Sequence, residues 1–272
     1  MKNTSGKQPI GIFDSGIGGL TVANAINRLM PEESLVYFGD TAHLPYGDKS
    51  SHAIELYSKG ISDFLLEKKC KMIVIACNTA SSIAYNSVKE HVGDKAIVIN
   101  VINPVVEAVT RKIVSGKIGV IGTKATIKNG AYERQIKTAN EKLDVGSQAT
   151  PLLAPMIEEG FFNNKISRTI INSYLSKPKL KNIKALILAC THYPLIKEEI
   201  IEQYEKDVMV VDSAEIVAQH IKDVLKDNNQ LNTKRKYPHH FFVSDYTKSF
   251  EKSTRIFFKG RLKLEYHPLW EK

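Results

Sequence analysis

The chain alternates short apolar runs with segments of helical spacing, and this alternation constrains the fold more than any other feature. Buried parallel strands appear in a sequence as short, continuous apolar runs. Seven such runs are present, at 11–13, 34–38, 72–76, 96–101, 117–121, 185–189 and 208–211. Segments with helical apolar spacing lie between most of them, at 20–30, 51–69, 81–91, 104–115, 131–141, 166–175 and 214–225. The pattern predicts an α/β fold of mainly parallel sheets with helices on both faces.

The chain also repeats itself. The stretch KMIVIACNT at 71–79 aligns with KALILACTH at 184–192, and IGIFDS at 10–15 aligns with IGVIGT at 118–123. The two offsets, 113 and 108 residues, are nearly equal. Two independent matches at similar offsets predict two related α/β domains. We expect residues 1–100 plus 212–272 to form the first domain and residues 101–211 the second.

Composition bounds the class of protein. Of the 272 residues, 43% are apolar and 25% are charged, as in ordinary globular proteins. No apolar run reaches the roughly 18 residues needed to span a bilayer, and the polar N-terminus lacks the apolar segment of a signal peptide. We therefore expect a cytoplasmic protein that does not associate with a membrane. The three cysteines argue against a disulfide framework, and their spacing predicts no metal site.

The net charge of +9 raises the question of a nucleic-acid partner. The basic residues are scattered, however, and the densest run, Lys234-Arg235-Lys236, lies in a loop-like stretch near Pro238. We interpret these residues as a solvated surface and predict no nucleic-acid partner. The positive charge also fits an attraction for small anionic substrates.

Two of the cysteines, Cys77 and Cys190, each follow an apolar strand and precede a predicted helix. In open parallel sheets, the carboxyl ends of the strands form the ligand crevice. The N–H groups of a helix start are expected to lower the pKa of a thiol placed there. Polar side chains follow each cysteine directly: Asn78, Thr79, Thr191 and His192. A single buried cysteine is commonly structural, but two at matched positions of a repeat favour a functional pair.

Such a pair suits one type of reaction. Inversion of a stereocentre requires a base that removes a proton from one face and an acid that returns a proton to the other. A thiolate and a thiol on opposite walls can fill these roles and exchange them in the reverse reaction. A single nucleophilic cysteine would need no matched partner.

Six motifs extend the argument beyond the cysteines. They are FDSGIGG at 13–19, GDTA at 39–42, PYG at 45–47, ACNTA at 76–80, PLLAPMIEEG at 151–160 and CTHYPL at 190–195. In these motifs the chain resembles, nearly end to end, the cofactor-independent glutamate racemases of the aspartate/glutamate racemase superfamily. His192 in the last motif is similar to the glutamate enzymes, because aspartate racemases usually have glutamate there.

The resemblance implies a role for each matching residue. Cys77 and Cys190 would be the acid/base groups, working on the D- and the L-enantiomer respectively. Asp14 and His192 would assist proton transfer, and Glu158 would be a further acidic residue of the site. The implied contacts to the substrate come from ten residues: Asp14, Ser15, Pro45, Tyr46, Gly47, Asn78, Thr79, Thr123, Thr191 and His192.

The resemblance also implies properties of the whole protein. The two domains would be related by a pseudo-two-fold axis, with the active site in the cleft between them. The reaction would interconvert L- and D-glutamate without a cofactor and supply D-glutamate for peptidoglycan synthesis. The protein would be a homodimer.

Alternatives remain open from the residues alone. A racemase for aspartate or for another acidic or cyclic substrate would carry similar motifs. A two-domain protein that closes on a small anion without chemistry would explain the duplicated halves, although not the paired thiols. Asp14 could also be a turn residue. The glycine loop IFDSGIGGL at 12–20 does not match the dinucleotide fingerprint, because Thr21 holds the third glycine position.

Overall fold

A computed structural model describes residues 7–204, 208–260 and 262–271. In these ranges the chain forms ten strands and eleven α-helices. The strands are β1 (Ile10–Asp14), β2 (Leu35–Gly39), β3 (Met72–Ile75), β4 (Ile97–Asn100), β5 (Gly116–Gly122), β6 (Leu143–Ala149), β7 (Ile183–Ala189), β8 (Met209–Val211), β9 (His240–Val243) and β10 (Leu264–Tyr266). The helices are α1 (Leu20–Leu29), α2 (Ser51–Glu67), α3 (Asn78–Val92), α4 (Ile102–Lys112), α5 (Lys124–Asn129), α6 (Ala131–Ala139), α7 (Leu153–Glu158), α8 (Lys165–Leu175), α9 (Lys197–Gln203), α10 (Ser213–Asp227) and α11 (Lys248–Phe257).

The strands form two parallel sheets of related topology. The first has the order β10-β9-β2-β1-β3-β4 and the second has the order β6-β5-β7-β8. Every pairing among these strands is parallel. The order β2-β1-β3-β4 is therefore repeated as β6-β5-β7-β8, so β3 and β7 hold equivalent places. The predicted α/β fold of two similar, mainly parallel sheets is confirmed.

The central strands are buried on both faces. All residues of β1, β2 and β3 are buried. Helices therefore cover both sides of the first sheet, which explains why these strands appear in the sequence as unbroken apolar runs. Burying each large apolar side chain stabilises the fold by roughly 1.5–3 kcal/mol. Among the helices that the structure describes, none has the length and apolar character needed to cross a bilayer.

All seven strands predicted from apolar runs and all seven helices predicted from helical apolar spacing are present, with ends shifted by a few residues. The further helix expected directly after Cys190 is not formed. The sequence did not predict β6, β9 or β10. The residues of β6 are mostly only partly buried, because it is the edge strand of the second sheet. An edge strand lacks the continuous apolar run on which the prediction depended. The helix α7 was missed because Pro151 and Pro155 lie before and within it.

The chain returns to the first sheet after β8. Strands β9 and β10 extend that sheet beyond β2, while α10 packs against α1 and α4. The predicted division into 1–100 plus 212–272 and 101–211 is consistent with this path. The boundaries themselves stay a prediction.

Candidate active site

One cavity lies where the carboxyl ends of the two sheets face each other. Its volume is about 280 Å³, near the lower end of the range for small-molecule sites. It is lined by Ser15, Gly16, Leu44, Pro45, Tyr46, Gly47, Cys77, Asn78, Thr79, Thr123, Ala154, Pro155, Glu158, Ala189, Cys190, Thr191 and His192. Twelve of the thirteen residues predicted for the site are in this lining; Asp14 is the exception.

Cys77 is the N-cap of α3 on the wall formed by the first sheet. Its Sγ accepts a hydrogen bond from the N–H of Ala80 at 3.5 Å and lies 3.8 Å from Oγ of Ser15. Asn78 and Thr79 form the first turn of α3 behind it. The free N–H groups of this helix start therefore lie beside the cavity, where they favour a bound anion.

The expectation that the helix start lowers the pKa of this thiol is wrong for Cys77. Burial and the nearby charge of Asp14 raise its pKa to about 12, and the contacts to Ala80 and Ser15 only partly oppose them. Transferring a thiolate from water into the protein interior costs more free energy than the dipole of one backbone N–H group returns. Cys77 is therefore a thiol, not a thiolate, at neutral pH.

Cys190 directly follows β7 on the opposite wall, beside His192. Its Sγ lies 3.7 Å from Nδ1 of His192, and Nε2 of the same imidazole lies 2.8 Å from Oε1 of Glu158. Burial by itself lowers the pKa of His192, but the contacts to Cys190 and Glu158 outweigh it and raise the pKa to about 10. The imidazole is thus a buried cation at neutral pH, with both of its nitrogens protonated.

The predicted helix directly after Cys190 is not formed. A short 3₁₀ segment (Tyr193–Ile196) follows instead, and α9 begins only at Lys197. Pro194 lies in the first turn of the 3₁₀ segment. The electrostatic environment of Cys190 is therefore set by His192 and not by an α-helix start.

Hydrogen bonds join the two halves behind the cavity. The hydroxyl groups of Thr79, Thr123 and Thr126 lie 2.9–3.0 Å apart in a three-membered cluster. The hydroxyl of Tyr132 on α6 donates to Oδ1 of Asn78 at 2.6 Å. This bond fixes the amide so that its Nδ2 group is the free donor. That nitrogen is buried and has no partner within the described part of the chain.

Asp14 lies behind the glycine loop and does not line the cavity. Its Oδ2 accepts hydrogen bonds from the N–H groups of Gly16 at 3.2 Å and Gly19 at 3.0 Å. Oδ1 is buried and makes no hydrogen bond to any residue in the described ranges. Burial raises the pKa of Asp14, and the positive charge of His192 is the leading effect that opposes this. Asp14 is thus both the local turn residue that we considered and a buried carboxyl group close to the site.

Tyr46 lies against the cavity, but a second residue holds its hydroxyl. The hydroxyl donates to Oδ2 of Asp40 at 2.7 Å. Asp40 is fully buried and also accepts hydrogen bonds from Ser244 and from the indole N–H of Trp270. Trp270, near the C-terminal end of the described residues, therefore supports this wall of the cavity. In the sequence, the motif GDTA at 39–42 was the only sign of Asp40.

Two other contributors to the site carry no sequence signal of their own. Thr126 and Tyr132 act through hydrogen bonds that connect positions more than forty residues apart. Leu44, Ala154 and Pro155 contribute apolar lining. Within the described ranges, no group of three or more His, Cys, Asp or Glu side chains is arranged to hold a metal ion.

The fold and this cavity define an α/β protein of two equivalent halves, with a small-molecule site between them. The family model for Asp/Glu/hydantoin racemases matches residues 18–221. A glutamate racemase from Geobacter metallireducens is 40% identical over 254 residues, which is 93% of each chain. The chain belongs to the Asp/Glu/hydantoin racemase family and is an amino-acid racemase, an isomerase.

Solved structures agree with this assignment. A glutamate racemase from Francisella tularensis in complex with D-glutamate has a TM-score of 0.91 and 38% sequence identity, covering 97% of this chain and 99% of that one. A glutamate racemase isoform from Bacillus anthracis also has a TM-score of 0.91, with 33% identity, covering 96% of this chain and 98% of that one. The similarity therefore extends over both sheets and the cavity between them.

Proposed function

We propose that the protein interconverts L- and D-glutamate by proton transfer at Cα between Cys77 and Cys190. One observation carries the proposal. The two cysteines directly follow the ends of equivalent strands, β3 and β7, and both line the same cavity of about 280 Å³. A binding protein without chemistry has no need of a thiol on each wall. The relatives at about 40% identity are glutamate racemases, which supports glutamate as the substrate.

The charged and polar groups around the cavity suit an acidic amino acid. Hydrogen-bond donors for its carboxylates are available from the amide of Asn78 and the hydroxyls of Thr79 and Thr191. Thr123 and Ser15 can add further hydroxyls, and the cationic His192 adds positive charge on the side of Cys190. Asp14 provides negative charge near the first cysteine, where the ammonium group of the substrate would be stabilised.

The proton balance of the reaction is simple. The thiolate on one wall takes the Cα proton and becomes a thiol, while the thiol on the other wall gives its proton to the opposite face of Cα and becomes a thiolate. Cys77 as a thiol suits the donor role toward one face, with Cys190 as the base that His192 assists. In the opposite direction the proton of Cys77 must first pass to Cys190, so that Cys77 becomes the thiolate and Cys190 the thiol, and the ammonium charge of the bound substrate would favour the thiolate of Cys77. Closure of the halves would exclude water from the carbanion-like transition state.

Two variants test the thiol pair. We expect Cys77→Ser and Cys190→Ser each to lower kcat for racemisation by roughly 10²–10⁴-fold, because a serine hydroxyl is a far poorer base. Cys70→Ser is the matched control, since Cys70 is also a buried cysteine, lies just before β3 and is absent from the cavity lining. Racemisation is followed by circular dichroism, and Cα exchange is followed by NMR in deuterium oxide. Wild-type-like racemisation in either single variant would exclude the two-thiol mechanism.

The choice of substrate needs its own assay. Purified protein is incubated with each enantiomer of glutamate and of aspartate, and the optical signal is followed to equilibrium. We expect turnover of both glutamate enantiomers and little of aspartate. Turnover of aspartate alone would replace glutamate in the proposal and leave the two-thiol chemistry intact.

The same proposal extends to the cell. We infer that the protein works in the cytoplasm as a homodimer and supplies D-glutamate for peptidoglycan. Its expression should remove the D-glutamate requirement of a bacterial strain that lacks its own racemase, and Cys77→Ser should not. Light scattering coupled to size exclusion measures the oligomeric state, and a mass of one chain would contradict the dimer.

A further inference from the structure

The imidazole of His192 is buried, and not all of its contacts are polar. Its two nitrogens face Cys190 and Glu158. The backbone of Gly18 lies against the Cε1 edge of the ring. The approach is so close that a Cβ added at Gly18 would lie only 2.6 Å from Nδ1 of the imidazole. The polar partners fix where the nitrogens point only if the ring cannot tilt away from them. An apolar contact to the ring therefore bears on the chemistry.

That contact comes from a distant part of the chain. The ring of Phe257, the last residue of α11, lies with its centroid 5.2 Å from that of His192, and the two ring planes are 83° apart. This perpendicular arrangement is a favoured geometry for aromatic pairs. Phe257 is buried and is absent from the cavity lining. It touches the imidazole but not the space for the substrate.

The end of α11 is anchored independently of His192. Phe258, the next residue, packs against Phe241 of β9 with ring centroids 5.1 Å apart. The N–H of Lys259 donates to Oδ1 of Asn24 on α1 at 3.1 Å. These contacts tie the end of the helix to the first sheet and to α1. Phe257 is consequently held in place by the first sheet while it touches a residue that follows β7 of the second.

We propose that Phe257 is a positioning residue that holds the His192 ring in the orientation in which its nitrogens face Cys190 and Glu158. The inference rests on the proposed function, because it assumes that His192 assists Cys190. It assigns the C-terminal segment a part in the reaction across the cleft. Removing the ring of Phe257 leaves the polar groups intact but lets the imidazole tilt.

The test compares two neighbouring substitutions, Phe257→Leu and Phe258→Leu. Both remove a buried aromatic ring, so both should lower the melting temperature by similar amounts, but only Phe257 touches His192. We expect Phe257→Leu to lower kcat about tenfold with KM changed less than about twofold, since the ring contact acts on the transition state and not on substrate binding. Phe258→Leu should change kcat less than about twofold. Should Phe257→Leu fail to fold, Phe257→Met fills more of the same volume and gives the same comparison.

A double-mutant cycle separates positioning from a general structural effect. Phe257→Leu is introduced into wild type and into His192→Asn, and kcat/KM is measured in both directions at high enzyme concentration. The two enantiomers have equal free energy, so kcat/KM must fall equally in the two directions, which checks the data. If Phe257 acts through His192, its replacement costs activity in wild type and little in the His192→Asn background.

The outcomes distinguish a failure of the positioning role of Phe257 from a failure of the role proposed for His192. Equal losses in both backgrounds, or equal losses for Phe257→Leu and Phe258→Leu, would overturn the positioning role and leave the proposed function standing. Wild-type kcat in His192→Asn would show that His192 takes no part in the reaction. In that case the role proposed for His192 and the inference about Phe257 both fall.

Discussion

The glycine loop after β1 leads to a quantitative prediction at Gly18. A Cβ added there would lie 2.5 Å from Oγ1 of Thr191 and 2.6 Å from Nδ1 of His192, and closer still to Cε1 of the imidazole. Ordinary carbon contacts are about 3.5 Å or longer, so the ring would have to move by about 1 Å. It is bound through both nitrogens and cannot yield freely. Misplacing a group of the active site by this distance can cost roughly a hundredfold in rate.

We therefore expect Gly18→Ala to lower kcat by roughly a hundredfold while the protein stays folded. The comparison is Gly16→Ala in the same loop, where a Cβ would meet only Cδ2 of Leu44 at 3.6 Å, an ordinary contact. Its effect on kcat should be much smaller. Racemisation is measured by circular dichroism and folding by thermal unfolding. A kcat for Gly18→Ala within threefold of wild type would contradict the prediction, because the reaction would then tolerate a displaced imidazole.

Two further predictions concern charge. The pKa of His192 is raised to about 10, so its contribution to stability is complete below its ordinary value of about 6.5 and is lost as pH rises through about 10. The free energy of unfolding, measured by urea titration, should therefore fall between pH 6.5 and 10. Glu158→Gln should make this fall smaller, because it removes one of the contacts that raise the pKa of His192; an unchanged fall would contradict the role of Glu158. Lys71 and Glu33 form a fully buried ion pair at 2.7 Å. Lys71→Met should destabilise the protein by about 3–5 kcal/mol in urea unfolding at pH 7, because it leaves a buried carboxylate without its cation; a change below about 1 kcal/mol would contradict this.

Much of the fold could be predicted because its strands are buried on both faces. Such strands must be apolar throughout, so β1, β3 and β7 stand out as continuous runs. The repeated pattern around Cys77 and Cys190 was equally visible, because equivalent strands of two similar sheets impose the same local sequence. The prediction of secondary structure failed mainly at edge strands and short helices. The residues of β6 and β10 satisfy fewer packing constraints, and α7 contains a proline.

Local pattern in the sequence was enough to predict the fold class and the matched placement of the two cysteines, since a residue at the end of a parallel strand must face the crevice. Most other residues of the cavity wall were predicted from the resemblance to a known family. The protonation of Cys77, the orientation of Asn78 by Tyr132 and the contact of Phe257 with His192 follow from the tertiary structure alone. A pKa depends on burial and on charges brought near in space, and these contacts join residues far apart in the chain. No local pattern records them.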